Sequence, residues 1–183
     1  MPSLKRVLRW KLVLVSAIAV LLGATGAPGQ STNTSDMEKA CRTYVQGFYD
    51  WYLGEIKRNN ADPLKLAVKR YRFDAELVRQ LKVDWDAQAK SADLVGLDFD
   101  PVINGQDIMP GRYLAGKVTK KGPNYLVEIS VLDPEKKGRQ VLVSPELSFN
   151  AGQWTFVNFH FGTEGDLLST LKQLRDERKN TPN

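Results

Sequence analysis

The sequence is poor in the residues that most often form covalent cross-links and metal centres. Its 183 residues include one cysteine, Cys41, and one histidine, His160. A single cysteine excludes an internal disulfide, and one residue of each kind excludes a metal centre built from cysteine and histidine. The sequence therefore predicts neither a metal nor another cofactor. Cys41 lies on an apolar helical stripe, which predicts a buried thiol.

The apolar run near the N-terminus is too short to cross a bilayer, which takes about 20 residues. It spans eleven residues, Leu12–Leu22, and it follows a basic segment, Met1–Lys11. A short turn-prone segment, Gly23–Gln30, comes next. This order is typical of a secretory signal peptide. We therefore expect residues 1–26 to be a signal peptide and the mature protein to be periplasmic or secreted.

Two cleavage positions fit the pattern. Cleavage after Gly26 places Ala24 at position −3, and cleavage after Gly29 places Ala27 there. An uncleaved signal anchor is the alternative. Lipid attachment is not expected, because it needs a cysteine directly after the apolar run, and the cysteine of this chain is Cys41. Contact with the membrane is thus expected only in passing, through the signal peptide.

The mature chain has little excess charge of either sign. The net charge is +5, but four of the 26 basic residues lie before residue 12, and the first 26 residues contain no acid. Without those four, 22 basic residues face 21 acidic ones, which leaves a net charge of +1. Nucleic-acid binding needs clustered positive charge that neutralises phosphates. We therefore expect no nucleic-acid partner.

Hydrophobic spacing predicts helices in the first half of the domain. Residues 27–35 read as a flexible linker, and Ser35 with Glu38 forms a capping box at a helix start. Asp62 before Pro63 is a second start signal, and Asp74 opens a third helix. The apolar positions recur at helical spacing. The predicted helices run over about 36–58, 63–71 and 74–90.

Beyond residue 110 the hydrophobic period changes to two, which predicts strands. Pro145 within the third strand predicts a bulge or a sheet edge, and Thr163 is the expected cap of a closing helix. The fold class is α+β: N-terminal helices packed on a curved four-stranded antiparallel sheet, a cone-like fold. We expect one domain over 36–178 and a disordered tail over 179–183. The predicted strands are 113–120, 125–132, 139–149 and 154–161.

Three aspartates lie within ten residues between the helices and the sheet. Asp98, Asp100 and Asp107, with Gln106 beside the last, are candidate ligand-binding residues. Clustered carboxylates can hold a hard cation or form an acid–base pair. The spacing lacks the terminal Glu and the fixed Gly of a calcium loop. The other interpretation is that these aspartates cap turns.

Three more candidate ligand-binding residues lie elsewhere in the chain. Tyr49 and Asp50 are expected to point away from the core stripe of the first helix, on which Phe48, Trp51 and Tyr52 fall. His160 is expected to share a strand face with Trp154, Phe156 and Asn158, where packing or hydrogen bonding is the usual role of a single histidine. A basic cluster predicts a solvated helix face or contact with an anionic surface. Its members are Lys65, Lys69, Arg70 and Arg72.

Several of these motifs resemble one family. The segments Val45–Tyr52, Leu97–Pro101, Gln106-Asp107 and Gly152–Trp154, with a leucine-rich closing helix, are similar to the bacterial family catalogued as domain of unknown function 3828. The resemblance covers about residues 38–178. It implies an exported protein with the cone-like fold of nuclear transport factor two and the cystatin-like folds. It carries over no catalytic residues.

Two classes of function are compatible with these residues. No complete catalytic set can be assembled from one histidine, one cysteine and unsupported carboxylates. We therefore favour a non-enzymatic domain that binds a small molecule or a periplasmic protein partner. An immunity-type inhibitor of a secreted toxin is a further hypothesis. The alternative is a hydrolase or isomerase in which Asp98, Asp100 or Asp107 acts as general base.

Overall fold

The computed structural model describes residues 34–60, 62–92, 95–132 and 139–180. The predicted signal peptide and all but the last two residues of the predicted linker lie outside the described residues. The helices are α1 (Thr34–Lys57), α2 (Pro63–Arg70), α3 (Ala75–Gln88) and α4 (Leu167–Asn180). The strands are β1 (Arg112–Lys121), β2 (Asn124–Leu132), β3 (Arg139–Asn150) and β4 (Gln153–His160). This architecture confirms the predicted α+β class.

The sheet is an antiparallel meander in the order β1-β2-β3-β4. Each strand pair contains one irregularity. In the last pair, Leu147 of β3 lies opposite Phe156 and Glu146 lies opposite Asn158, so Val157 is an extra residue in β4. The bulge predicted near Pro145 is present, although the extra residue lies on the neighbouring strand. An extra residue reverses the alternation of side chains beyond it.

Helix α1 covers one face of the sheet because its apolar residues recur at helical spacing. Cys41, Val45, Phe48 and Tyr52 are fully buried. The ring of Phe48 lies 4.5 Å from the ring of Phe156 on β4, centroid to centroid. Burial raises the pKa of the Cys41 thiol to about 12, so Cys41 is a packed apolar residue at neutral pH.

The side of α1 that enters the core differs from the expectation. Tyr49 was expected to point elsewhere, but it is 1% exposed and its hydroxyl donates to the carbonyl of Val102 at 2.7 Å. Trp51, expected on the core stripe, is only half-buried. The backbone beyond residue 100 supplies the acceptor that the Tyr49 hydroxyl needs inside the core.

The closing helix also begins later than expected. Thr163 lies in a single 3₁₀ turn, Gly162–Glu164, and α4 starts at Leu167. Asp166 is the capping residue: its Oδ1 accepts from the Ser169 amide at 3.1 Å. The helix continues to Asn180, so the first two residues of the expected tail are helical. Among the helices in the described part of the chain, none has the length and apolar character needed to cross a membrane.

Candidate functional site

The segment between α3 and β1 is held in place by Asp100. Its Oδ1 accepts from the Val102 amide at 2.8 Å, and its backbone forms a bridge with Gly105. Its Oδ2 accepts from the Tyr52 hydroxyl of α1 at 2.7 Å. Asp100 therefore caps a turn and ties that turn to α1.

Burial sets the proton affinity of this pair. It raises the pKa of Asp100, although hydrogen bonds from Tyr52 and from the amides of Val102 and Ile103 act to lower it. Burial also raises the pKa of Tyr52, and the neighbouring Asp100 charge adds to this effect. Each carboxylate oxygen already accepts from a protein donor, so the first role of Asp100 is to hold the segment in place.

A second carboxylate fixes the other end of the segment. Asp84 of α3 is 2% exposed; its Oδ1 accepts from Arg178 of α4 at 2.7 Å, and its Oδ2 accepts from the Leu97 amide at 3.1 Å. Arg178 also donates to the carbonyl of Val95 at 2.6 Å. A Cβ on Gly96 would lie 2.7 Å from Oδ2 of Asp84. A side chain at Gly96 would therefore displace the Asp84 carboxylate that holds the segment against α3.

These contacts leave a cleft between α2, α3 and the 95–106 segment, which we call the α3 cleft. Its volume is about 530 Å³. Apolar walls are supplied by Leu64, Trp85, Leu97, Phe99 and Pro101. Polar side chains at the cleft include those of Asp62, Lys65, Asp98 and Gln106. Apolar walls with a few polar groups are the usual composition of a small-molecule site.

The α3 cleft brings together three of the seven candidate residues, Asp98, Asp100 and Gln106. The others lie elsewhere. Tyr49 is in the core; Asp50 is exposed, and its Oδ1 accepts from Gln46 at 2.8 Å. Asp107 is exposed outside the cleft, and His160 is on β4. The sequence did not single out Trp85 or Asp84 as cleft residues, because Trp85 falls among the apolar positions at helical spacing in the third predicted helix, which is typical of a core residue.

His160 has a partner that the sequence did not reveal. Its Nε2 lies 2.6 Å from Oε2 of Glu146 on β3, and the two side chains are 21% and 13% exposed. Burial acts to raise the pKa of Glu146, but hydrogen bonds from Asn124 and His160 outweigh it, so this pKa is lowered. A carboxylate beside the ring is the arrangement that orients a histidine for proton transfer.

The bulge at Val157 explains why this pair was missed. Phe156 and Phe159 stack on each other at 5.7 Å, so His160 does not share the face of Phe156 as expected. It lies instead on the opposite face with Asn158, whose Nδ2 donates to Asp166 at 2.7 Å. His160 also lines a second cavity of about 540 Å³, the His160 pocket, together with Ser144 and Thr163. Only the extra residue brings His160 to this face.

The described residues contain no group of three or more histidine, cysteine, aspartate or glutamate side chains that could hold a metal ion. The chemistry that they do offer is of two kinds. The α3 cleft offers a partly apolar surface with structural carboxylates, and the His160 pocket offers a carboxylate-oriented imidazole.

The fold and the α3 cleft define an α+β domain with an open antiparallel sheet and a solvent-facing groove. Comparison with known proteins adds one distant likeness. A protein of unknown function from Bacteroides thetaiotaomicron is similar in structure, with 18% sequence identity and a TM-score of 0.43, over 68% of this chain and 92% of that chain. No family model matches the chain, so the resemblance to family 3828 is not confirmed. No curated protein matches it either.

Proposed function

We propose that this chain is an exported, non-enzymatic domain that binds a small molecule in the α3 cleft. The observation that carries the proposal is the state of the two innermost carboxylates. Asp84 and Asp100 each have both side-chain oxygens engaged by protein donors. Groups held in this way serve first to shape the cleft, and a general base would need a further lone pair directed at the substrate.

The remaining surface of the α3 cleft suits a ligand with a flat apolar body. Trp85 and Phe99 are half-buried and line the cleft, and the Lys65 ammonium lies 5.5 Å from the centroid of the Trp85 ring. Asp98 is exposed at the same cleft. Binding of a ligand that removes the indole surface from water is favourable. The exposed carboxylate can then fix the orientation of the bound ligand.

Export enters the proposal through the N-terminal pattern of a basic segment, an eleven-residue apolar run and small residues. The same proposal includes a relationship to family 3828, which implies an exported protein. The sequence motifs shared with that family are its only support. Cell fractionation with N-terminal sequencing tests it. We expect a mature N-terminus that follows Gly26 or Gly29. A cytosolic protein that begins at Met1 would contradict it.

Ligand binding is tested by titrating aromatic fragments, such as indole and benzyl alcohol, into the mature protein labelled for NMR. We expect shifts of the amide signals of Leu97, Asp98 and Phe99, and loss of those shifts in Trp85→Ala. The matched control is Val83→Ala, because Val83 is an exposed residue of the same helix outside the cleft. Equal shifts in Trp85→Ala and in the unchanged protein would exclude the cleft as the binding site.

A second candidate function rests on the pairing of His160 with Glu146. An imidazole oriented by a carboxylate and lining a cavity can accept a proton from water, which would then attack an ester carbonyl. In this candidate the general base of a hydrolase is His160, and not one of the aspartates Asp98, Asp100 and Asp107. Hydrolysis of p-nitrophenyl acetate tests it: His160→Gln should abolish the activity, and Asp98→Ala should leave it unchanged. Equal hydrolysis by His160→Gln and the unchanged protein would exclude this role.

A further inference from the structure

A third cleft lies on another side of the domain. It is formed by the C-terminal end of α2, by α1 and by the turn between β3 and β4, and its volume is about 650 Å³. We call it the arginine cleft. Its walls are Tyr44, Tyr71, Trp154, the turn residues Gly152 and Gln153, and the two arginines Arg70 and Arg72. No acidic residue is among these walls, so the formal charge of the lining is positive.

The guanidinium of Arg70 is held by aromatic rings. Its Cζ lies 5.3 Å from the ring centroid of Trp51 and 5.9 Å from that of Tyr71. A guanidinium at this distance is attracted to the aromatic ring and can still donate hydrogen bonds from its N–H groups. Within residues 34–180 as described, Arg70 has no carboxylate within ion-pair distance. Its N–H donors are therefore available to an anion.

Arg72 is likewise paired with a neutral group. Its Nη1 donates to Oε1 of Gln153 in the β3–β4 turn. Four other arginines show the contrast, because each contacts a carboxylate. These are Arg58, Arg79, Arg175 and Arg178. Arg70 and Arg72 thus line one cleft that has no acidic residue in its lining.

We propose that the arginine cleft binds an oxyanion, a carboxylate or a phosphate, carried on a flat ring. A guanidinium presents paired donors that match the two oxygens of such a group. The half-buried rings of Tyr44 and Tyr71 stand beside the guanidiniums and offer an apolar surface to the body of the ligand. Gly152 has no side chain and open space at its Cβ position, which leaves the turn side of the cleft unobstructed.

This site is separate from the α3 cleft and from the His160 pocket, since its lining shares no residue with either. Ligand binding at the arginine cleft therefore goes beyond the proposed function and can be tested independently of it. It also assigns a role to half of the basic cluster in the sequence. Lys65 belongs to the α3 cleft, whereas Arg70 and Arg72 belong to the arginine cleft.

Four probes separate the two parts of the proposed ligand. Phenyl phosphate and benzoate carry both a ring and an oxyanion, inorganic phosphate carries the anion alone, and benzyl alcohol carries the ring alone. Each is titrated into the mature protein at low salt, with the NMR signals of the Gly152 and Gln153 amides as the readout. We expect both ring-bearing anions to shift these signals and to bind about tenfold more tightly than either partial probe.

Variants identify the groups responsible. Arg70→Ala with Arg72→Ala should weaken phenyl phosphate binding by about tenfold or more, and Arg70→Lys should recover only part, because an ammonium lacks the planar fork. Arg79→Gln is the matched control, since Arg79 is an exposed arginine paired with Glu76 elsewhere. Both cleft arginines are exposed, so the variants should keep the wild-type melting temperature. The proposal is overturned if phenyl phosphate causes no shift up to about 10 mM, if benzyl alcohol binds equally well, or if the double variant binds as the wild type does.

Discussion

The hydroxyl of Tyr52 donates a 2.7 Å hydrogen bond to Oδ2 of Asp100, and this bond joins the middle of α1 to the segment that lines the α3 cleft. The two residues are 48 positions apart in the chain. Tyr52 is fully buried and Asp100 is half-buried, so the bond forms where the core meets the α3 cleft. The position of the cleft floor thus depends on the same helix that covers the sheet.

Tyr52→Phe should lower the free energy of unfolding by about 1–3 kcal/mol, because it removes the side-chain donor from a half-buried carboxylate oxygen. Urea denaturation measures this. Tyr71→Phe is the control: no hydrogen bond of the Tyr71 hydroxyl is found among the described residues, so the change should stay within about 0.5 kcal/mol. Equal stability of Tyr52→Phe and the wild type would show that water replaces the hydroxyl at Asp100.

Asp100 should make the stability of the fold depend on pH in the direction opposite to that of most carboxylates. Burial raises its pKa above the ordinary value of 3.8, so the folded state holds the proton more tightly than the unfolded state does. Stability from this group is therefore present at low pH and is lost as the pH rises from about 3.8 through the raised value. Asp100→Asn lacks this titration.

The measurement is the unfolding free energy of wild type minus that of Asp100→Asn, taken by urea denaturation at a series of pH values. The difference should fall as the pH rises through that window and then level off. Asp107→Asn, at an exposed position, controls for the loss of one negative charge. A difference that grows with pH would mean that the hydrogen bonds to Asp100 outweigh its burial.

Much of this architecture could be predicted from the sequence, because each helix and strand carries its own periodic pattern. What could not be predicted depends on contacts between distant parts of the chain. The extra residue Val157 reverses the faces of Asn158 and His160, and no turn residue marks it in the sequence. Asp84 and Arg178 lie 94 positions apart, so their pairing has no local signal. In the candidate site, Asp98, Asp100 and Gln106 were found by composition, whereas Trp85 was hidden within a helical stripe.

Asp166→Ala should destabilise the fold by about 1–2 kcal/mol, since Asp166 caps the amide of Ser169 at the start of α4 and also accepts from Asn158. Thermal or urea unfolding provides the measurement. Thr163→Ala is the matched control, because Thr163 is exposed and precedes the helix; its effect should stay within about 0.5 kcal/mol. A larger loss of stability in Thr163→Ala than in Asp166→Ala would show that the helix begins at Thr163.

The ion pair between Asp84 and Arg178 provides the most demanding test, because it joins α3, α4 and the 95–106 segment at one point. Arg178→Met leaves the 2% exposed Asp84 carboxylate without its cation, and such a loss costs about 3–5 kcal/mol. Asp84→Asn combined with Arg178→Met should be less destabilising than Arg178→Met alone, since no buried charge remains and the amide oxygen can still accept from Leu97. Urea denaturation of the three proteins measures this order.

Arg178 lies two residues before the end of α4, so the helix end can instead unwind and admit water to Asp84. In that case Arg178→Met would cost no more than the double variant, and the carboxylate would be a solvated edge of the α3 cleft, available to a ligand.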